Sequence, residues 1–145
     1  MKVKKRNRRG KPDPAVLAGI VKRIVRAAKP QRIVLFGSAA RGTMGPNSDL
    51  DFLVIKAGKF NHWRMLATIH RELRGSEAAA DVVVATPEEV ERYRNSHCLV
   101  ICPAMREGKV VYDSEKISSG RSARMAQPRA QQSRTRANRR AGSLV

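Results

Sequence analysis

Two aspartates, Asp49 and Asp51, stand two residues apart where an apolar run begins, Leu50–Ile55. On an extended strand that spacing projects both carboxylates from one face. Two like charges so close repel unless a cation sits between them, and hard carboxylate oxygens favour Mg²⁺. Asp51 is the sharper of the two. An acid between Leu50 and Phe52, in a run that ends Leu53-Val54-Ile55, costs stability unless it is paired or metal-bound. An ion pair with Arg41 is the alternative way to satisfy it. Upstream, the apolar run at 33–36 breaks at Gly37-Ser38, followed by the small residues Ala39 and Ala40. A glycine lets the backbone approach a ligand closely. A short helix starting there would aim free N–H groups and its positive dipole end outward, which suits phosphate. Ser38 adds a hydroxyl donor, and Arg41 adds a fork for phosphate oxygens. A third acid, Asp81, opens the Val-rich run at 81–85. Each piece has an ordinary explanation alone, since a Gly-Ser is usually a turn and a D-x-D is often solvated. Their conjunction in one order is what points to a metal and phosphate site.

These residues need elements to hold them, and the surrounding chain supplies alternating helix and strand signals. Asp13-Pro14 is a helix start, an N-cap acid followed by proline at the first helical position. Val16, Leu17, Ile20, Val21, Ile24 and Val25 then recur at helical spacing, with Lys22, Arg23 and Arg26 on the other face. Lys29-Pro30 ends that helix. Residues 33–36 and Leu50–Ile55 are short enough to be buried strands. The turn-rich stretch 42–48 between them can bring the chain back. Residues 61–74 are predicted helical, with Leu66, Ile69 and Leu73 on one stripe and Gly75 at the stop. Residues 81–85 form the third strand. Thr86-Pro87-Glu88-Glu89 carries a capping box, and its helix runs to about Arg94. A weaker helix is expected over 99–107, because Pro103 falls inside it. Residues 109–112 make a last short strand after Gly108. The order argues an α/β (α+β) fold, helices packed on a small sheet.

Composition bounds the remainder. The chain has 145 residues and a formal net charge of +18, with 41% apolar and only 4% aromatic residues. That length suits one domain with an aliphatic core. The charge is uneven. Residues 1–11 hold seven Lys or Arg and no acid; residues 12–113 hold 15 basic and 11 acidic residues, a net of +4. Residues 114–145 hold eight basic residues and one acid, another +7. Three zones follow: a basic flexible arm at 1–11, an ordered domain at 12–113, and a basic tail at 114–145 that is expected to be disordered because it cannot bury enough apolar surface. No apolar run reaches the roughly 18–20 residues of a membrane span. The basic start has no apolar stretch behind it and does not read as a secretory signal. Cys98 and Cys102 have neither disulfide-scaffold nor zinc spacing and are expected to be reduced thiols in a cytoplasmic protein.

Gly37-Ser38, ten residues, then Asp49-x-Asp51, with Asp81 on a later strand, resembles the signature of the DNA polymerase beta superfamily of nucleotidyltransferases. Within it the chain resembles the minimal nucleotidyltransferase (MNT) domains, including those of HEPN/MNT toxin–antitoxin pairs. The likeness covers 13 to about 113. It is specific at Gly37, Ser38, Arg41, Gly42, Asp49, Asp51 and Asp81, and looser at 107–112, which looks like the family's closing helix and strand. Pro103 and the two basic tails depart from the family pattern. The resemblance implies a small mixed β-sheet packed against helices. It implies nucleotidyl transfer from ATP, with Gly37, Ser38 and Arg41 on the nucleotide. Asp49 and Asp51 would bind two Mg²⁺ ions, and Asp81 would complete one metal site and help deprotonate the acceptor. In toxin–antitoxin members the acceptor is a tyrosine of the HEPN toxin.

Other residues invite a functional reading that their context weakens. His62 and His70 lie eight apart near Trp63 but lack a third ligand, so half-buried helix histidines are expected. Trp63 is expected in the core or an interface, and Tyr93 and Tyr112 in packing. His97, beside Cys98, has no oriented third group that would suggest a nucleophile. The competing function is a non-catalytic module that neutralises a partner by contact or binds nucleic acid through its basic arms. A small-molecule nucleotidyltransferase is a third possibility, disfavoured because no second domain is present to hold the acceptor.

Overall fold

In the computed structural model, residues 10–45, 47–96 and 100–118 are described. The chain divides into two units, Met1–Asp113 and Ser114–Val145. In the second, residues 114–118 are helical, with the Ser118 hydroxyl donating to the Ser114 carbonyl at 3.1 Å. The expectations for 1–9 and for 119–145 lie outside the described residues, as do those for Cys98 and His97.

The first unit follows the element order α1 Pro14–Ala28, β1 Arg32–Phe36, α2 Gly37–Arg41, β2 Leu50–Ile55, α3 His62–Glu72, β3 Ala80–Ala85, α4 Pro87–Tyr93, α5 Ile101–Glu107 and β4 Lys109–Asp113. Local chemistry sets most ends. The Asp13 carboxylate accepts from the Ala15 N–H at 2.8 Å and caps α1. Lys29 closes α1 in the left-handed region at φ 46°, its N–H donating to the Val25 carbonyl, which lets Pro30 follow. Asn61 caps α3 by accepting from the Arg64 N–H at 3.1 Å. Thr86 and Glu89 form the expected capping box of α4. Pro103 does not break α5. It occupies the first turn, where its missing N–H would have had no helical partner.

The strands form one mixed sheet in the order β3-β2-β1-β4. β1 is antiparallel to both β2 and β4, and β2 is parallel to β3. Strand alternation splits the core between the two faces. Ile33, Leu35, Phe52 and Val54 face α1 and α3, packing with Ile20, Ile24, Ile69 and Leu73. Val34, Leu53, Ile55 and Ala85 face Val90, Ile101 and Ala104 of α4 and α5. Both faces of β2 are therefore covered, which is why its burial is continuous but for Asp51. The core is aliphatic as composition required; Phe52 is its one buried aromatic among the described residues. Tyr93 and Tyr112 pack partly buried against it. Cys102 is a buried free thiol. One expectation fails: His70, expected half-buried, is exposed; Trp63, expected in the core or an interface, is 82% exposed and so lies outside the core. The apolar stripe of α3 runs through Leu66, Ile69 and Leu73, and Trp63 falls outside it. Among the described residues no helix is long and apolar enough to cross a membrane.

Candidate active site

The register gathers the acids at one end of the sheet. Because β1 and β2 are antiparallel, the end of β1 lies beside the start of β2, with Phe36 opposite Asp51. Because β2 and β3 are parallel, their starts coincide, with Asp51 opposite Asp81. Asp51 shares the parity of Leu53 and Ile55, and Asp81 that of Val83 and Ala85, so both carboxylates project on the α4/α5 side. Asp49 precedes β2 by one residue and is exposed, as is Asp81; Asp51 is half-buried.

The β1–α2 turn meets these acids directly. Gly37 sits at φ +71°, a conformation that disfavours any side chain. A Cβ there would collide with the Asp51 carboxylate oxygen Oδ2. The glycine thus serves twice, in turning the chain from strand to helix and in leaving room for the acid. Ser38, Ala39 and Ala40 follow in α2, with the two alanines buried, and Gly42 closes the helix at φ +75°. The Ser38 carbonyl accepts from the Gly42 and Thr43 N–H groups. Its hydroxyl is half-buried and makes no hydrogen bond among the described residues.

The electrostatics show a site in conflict with itself. Burial pushes the Asp51 carboxyl above its ordinary range; the charges of Asp81 and then Asp49 push it the same way, and Arg41 only partly offsets them. The ion pair between Asp51 and Arg41, the alternative raised by the sequence, is not formed. Arg41 instead pairs with Glu107 of α5, Nη1 to Oε2 at 3.3 Å, and both side chains are about half exposed. Sequence reasoning did not foresee that partner. Sixty-six residues separate the two, and only the placement of β4 beside β1 brings the end of α5 to this corner.

The donor set fits a hard divalent cation that brings ligands of its own. Asp49, Asp51 and Asp81 offer oxygens alone, close enough to raise the pKa of Asp51. Among the described residues, however, no three such groups converge to enclose a metal. Mg²⁺ is usually held in this way, through one or two carboxylates, several waters and substrate phosphates, and not by an all-protein cage. Chemically the corner can neutralise phosphate oxygens and take a proton.

The model of the nucleotidyltransferase domain family matches residues 17–119. No curated protein matches the chain. Among solved structures, a candidate nucleotidyltransferase from Sulfolobus solfataricus is similar at 22% identity and a TM-score of 0.50, over 70% of this chain and 81% of that one. A chain of a toxin–antitoxin structure with AMP-PNP is similar at 18% identity and a TM-score of 0.44, over 87% of this chain and 97% of that one. A chain of the tri-AMPylated Shewanella oneidensis HEPN toxin in complex with MNT antitoxin is similar at 16% identity and a TM-score of 0.44, over 90% and 98%. With the family model spanning well over half of the chain, from within α1 through β4, this protein belongs to the nucleotidyltransferase domain family.

Proposed function

We propose that this chain is a Mg²⁺-dependent transferase that moves AMP from ATP to a protein hydroxyl, a tyrosine of a HEPN-type partner. The observation that carries the transferase reading is the Asp49, Asp51 and Asp81 group set against the Gly37–Ser38 turn, with Asp51 left in like-charge conflict. The tyrosine and the partner rest on the sequence resemblance. Gly37, Ser38 and Arg41 hold the triphosphate; for Arg41 this means exchanging Glu107 for phosphate oxygens. Asp49, Asp51 and Asp81 hold the cations, which supply charge neutralisation to an in-line displacement at phosphorus. The acceptor oxygen attacks the α-phosphorus, and the bond from that phosphorus to the leaving pyrophosphate breaks. The acceptor proton passes to Asp81. A tyrosine hydroxyl, with a pKa of about 10, needs such help at neutral pH.

The test is incubation of the full chain with Mg²⁺, ATP labelled at the α-phosphate, and a HEPN-type protein. Label should reach a tyrosine of that protein, and Asp49→Asn should abolish the transfer. Transfer by Asp49→Asn at the wild-type rate would overturn the transferase reading. Label on the chain's own residues or on a small molecule, and none on the HEPN protein, would overturn the acceptor alone.

A further inference from the structure

The helical layers on the two faces of the sheet differ in charge. α1 and α3 together contain five Lys or Arg and one acid. α4 and α5 contain two Arg and four acids. Pairing differs as well. Glu89, Glu91 and Glu107 on the α4/α5 side each meet a basic partner, His62, Arg94 and Arg41. On the outer side of α1 and α3, the side chains of Lys22, Arg26, Arg64 and Arg71 have no ion-pair or hydrogen-bond partner among the described residues. A charge row of this kind stays unpaired at a cost in self-repulsion.

The geometry makes the row continuous. The exposed stripe of α3 passes through Trp63, Ala67, His70, Arg71 and, just past the helix, Arg74. These positions recur at helical spacing and lie on one side of the helix. From Trp63 to Arg74 the stripe is about 16 Å long. α1 packs beside α3, and its exposed Lys22, Arg26 and Lys29 form a second row. Arg23 clamps the two together, donating from Nη1 to the Glu72 carbonyl at 3.2 Å and the Arg74 carbonyl at 3.1 Å. That clamp also satisfies carbonyls at the end of α3 and fixes the two basic rows relative to each other.

At the other end of the α3 stripe stands Trp63, 82% exposed. Its neighbours Phe60 and His62 pack against one another, with ring centroids 4.8 Å apart and planes tilted by 36°, while the indole faces solvent. A large apolar ring held in water beside a basic row is a costly arrangement for a helix surface.

We infer that the outer face of α1 and α3 binds single-stranded nucleic acid, with the basic rows tracking the phosphates and Trp63 stacking on a base. A basic track with an aromatic platform is the combination single-stranded nucleic acid selects. Charge complementarity identifies the occupant: the face is cationic, and the opposite layer is net acidic. The face belongs to the first unit and lies on the side of the sheet opposite the acidic corner of the active site.

Trp63 is the only tryptophan of the chain, so its fluorescence reports on this face directly. The full chain is titrated with a fluorescein-labelled 12-nucleotide single strand, following both anisotropy and Trp63 emission. Binding should quench Trp63. The triple variant Lys22→Gln, Arg26→Gln, Arg71→Gln should weaken binding at least tenfold and lower the slope of log affinity on log salt by about two, at about 0.7 for each phosphate left without its cation. Arg92→Gln, Arg94→Gln, Arg106→Gln removes the same charge from the other layer and should change affinity less than twofold. Trp63→Ala should weaken binding fivefold or more while leaving the salt slope unchanged. Equal losses in the two triple variants would overturn the inference, because net charge or the arms would then explain binding. So would binding without a change in Trp63 emission, and so would a blue shift of Trp63 on anionic phosphatidylserine vesicles with no response to the oligonucleotide, which would make the face a membrane surface.

Discussion

β2 and β3 run parallel, so their starts lie at one end of the sheet and their finishes at the other. The two ends treat carboxylates in opposite ways. At the start, Asp51 is held above its ordinary range, by burial and then by Asp81 and Asp49. At the finish, Glu89 is held below its ordinary range. The Thr86 backbone N–H donates to its carboxylate at 2.9 Å, the leading cause, and His62 adds to this against the opposing effect of burial. His62 Nε2 lies 3.1 Å from the same oxygen. Lys56 also joins this end to α1, with its Nζ donating to the Ala28 carbonyl at 2.7 Å. One end is built so that the folded chain satisfies its own charges. The other gathers like charges that the folded chain alone does not reconcile, and local rules are broken in this way where a ligand completes the arrangement.

The strongest way to break the comparison is Asp51→Asn. If the start of β2 serves chemistry, transfer should fall at least about a thousandfold, since a metal's charge stabilisation is worth several kcal/mol. Stability should move the other way. An acid whose folded pKa is raised binds its proton more tightly in the folded chain. Stability therefore falls as pH rises from the unfolded pKa through the folded one, and the deficit persists at neutral pH. Removing the carboxylate removes that deficit, so Asp51→Asn should melt above the wild type at pH 7 without divalent cation. Adding Mg²⁺ with ATP should raise the melting temperature of the wild type and not that of the variant. A variant that melts below the wild type without cation would show that Asp51 is satisfied within the fold, and the contrast between the ends would disappear.

Gly37→Ala is the next largest. The left-handed conformation costs a side chain about 1–2 kcal/mol, and the added methyl meets the Asp51 carboxylate. Displacing that group by about an ångström should cost roughly a hundredfold in rate. Both losses are expected, in urea melts and in transfer assays. A normal rate at reduced stability would mean that Gly37 serves the turn alone.

How much of this was legible before the fold is clearest from individual residues. The strand at Leu50–Ile55 with its odd acid, the capping box at Thr86 and the apolar stripe of α3 follow from local patterns, and each occupies its expected place. Asp49 and Asp51 are adjacent by spacing. The closeness of Asp81 depends on register, with β2 and β3 parallel and in step, and no local pattern encodes it. The same holds for the Arg41–Glu107 pair, for His62 with Glu89, and for the clamp of Arg23 on the end of α3. Each joins elements distant in sequence. Trp63 went the other way. Of the two places expected for it, core or interface, the core is closed to it because the apolar stripe of α3 is complete without it.

The smallest effects sharpen the other side of the comparison. Thr86→Ala removes the hydroxyl that accepts from the Glu89 N–H at 3.2 Å and should cost about 1 kcal/mol. Glu89→Gln keeps an acceptor for the Thr86 N–H and should cost only a few tenths at neutral pH. Its signature lies in the acid limb. A depressed folded pKa contributes stability that is fully present above the unfolded value, about 4.3 for glutamate, and is lost as pH falls through the folded value. Glu89→Gln should therefore flatten the loss of stability below about pH 4.3, measured as urea midpoints across pH 2.5–7. Neither substitution should change transfer, because the full length of β2 and β3 separates this end from the acids. If Thr86→Ala slowed transfer as much as it lowered stability, the two ends would be coupled through the strands, and the division between a self-satisfied end and a reactive one would not hold.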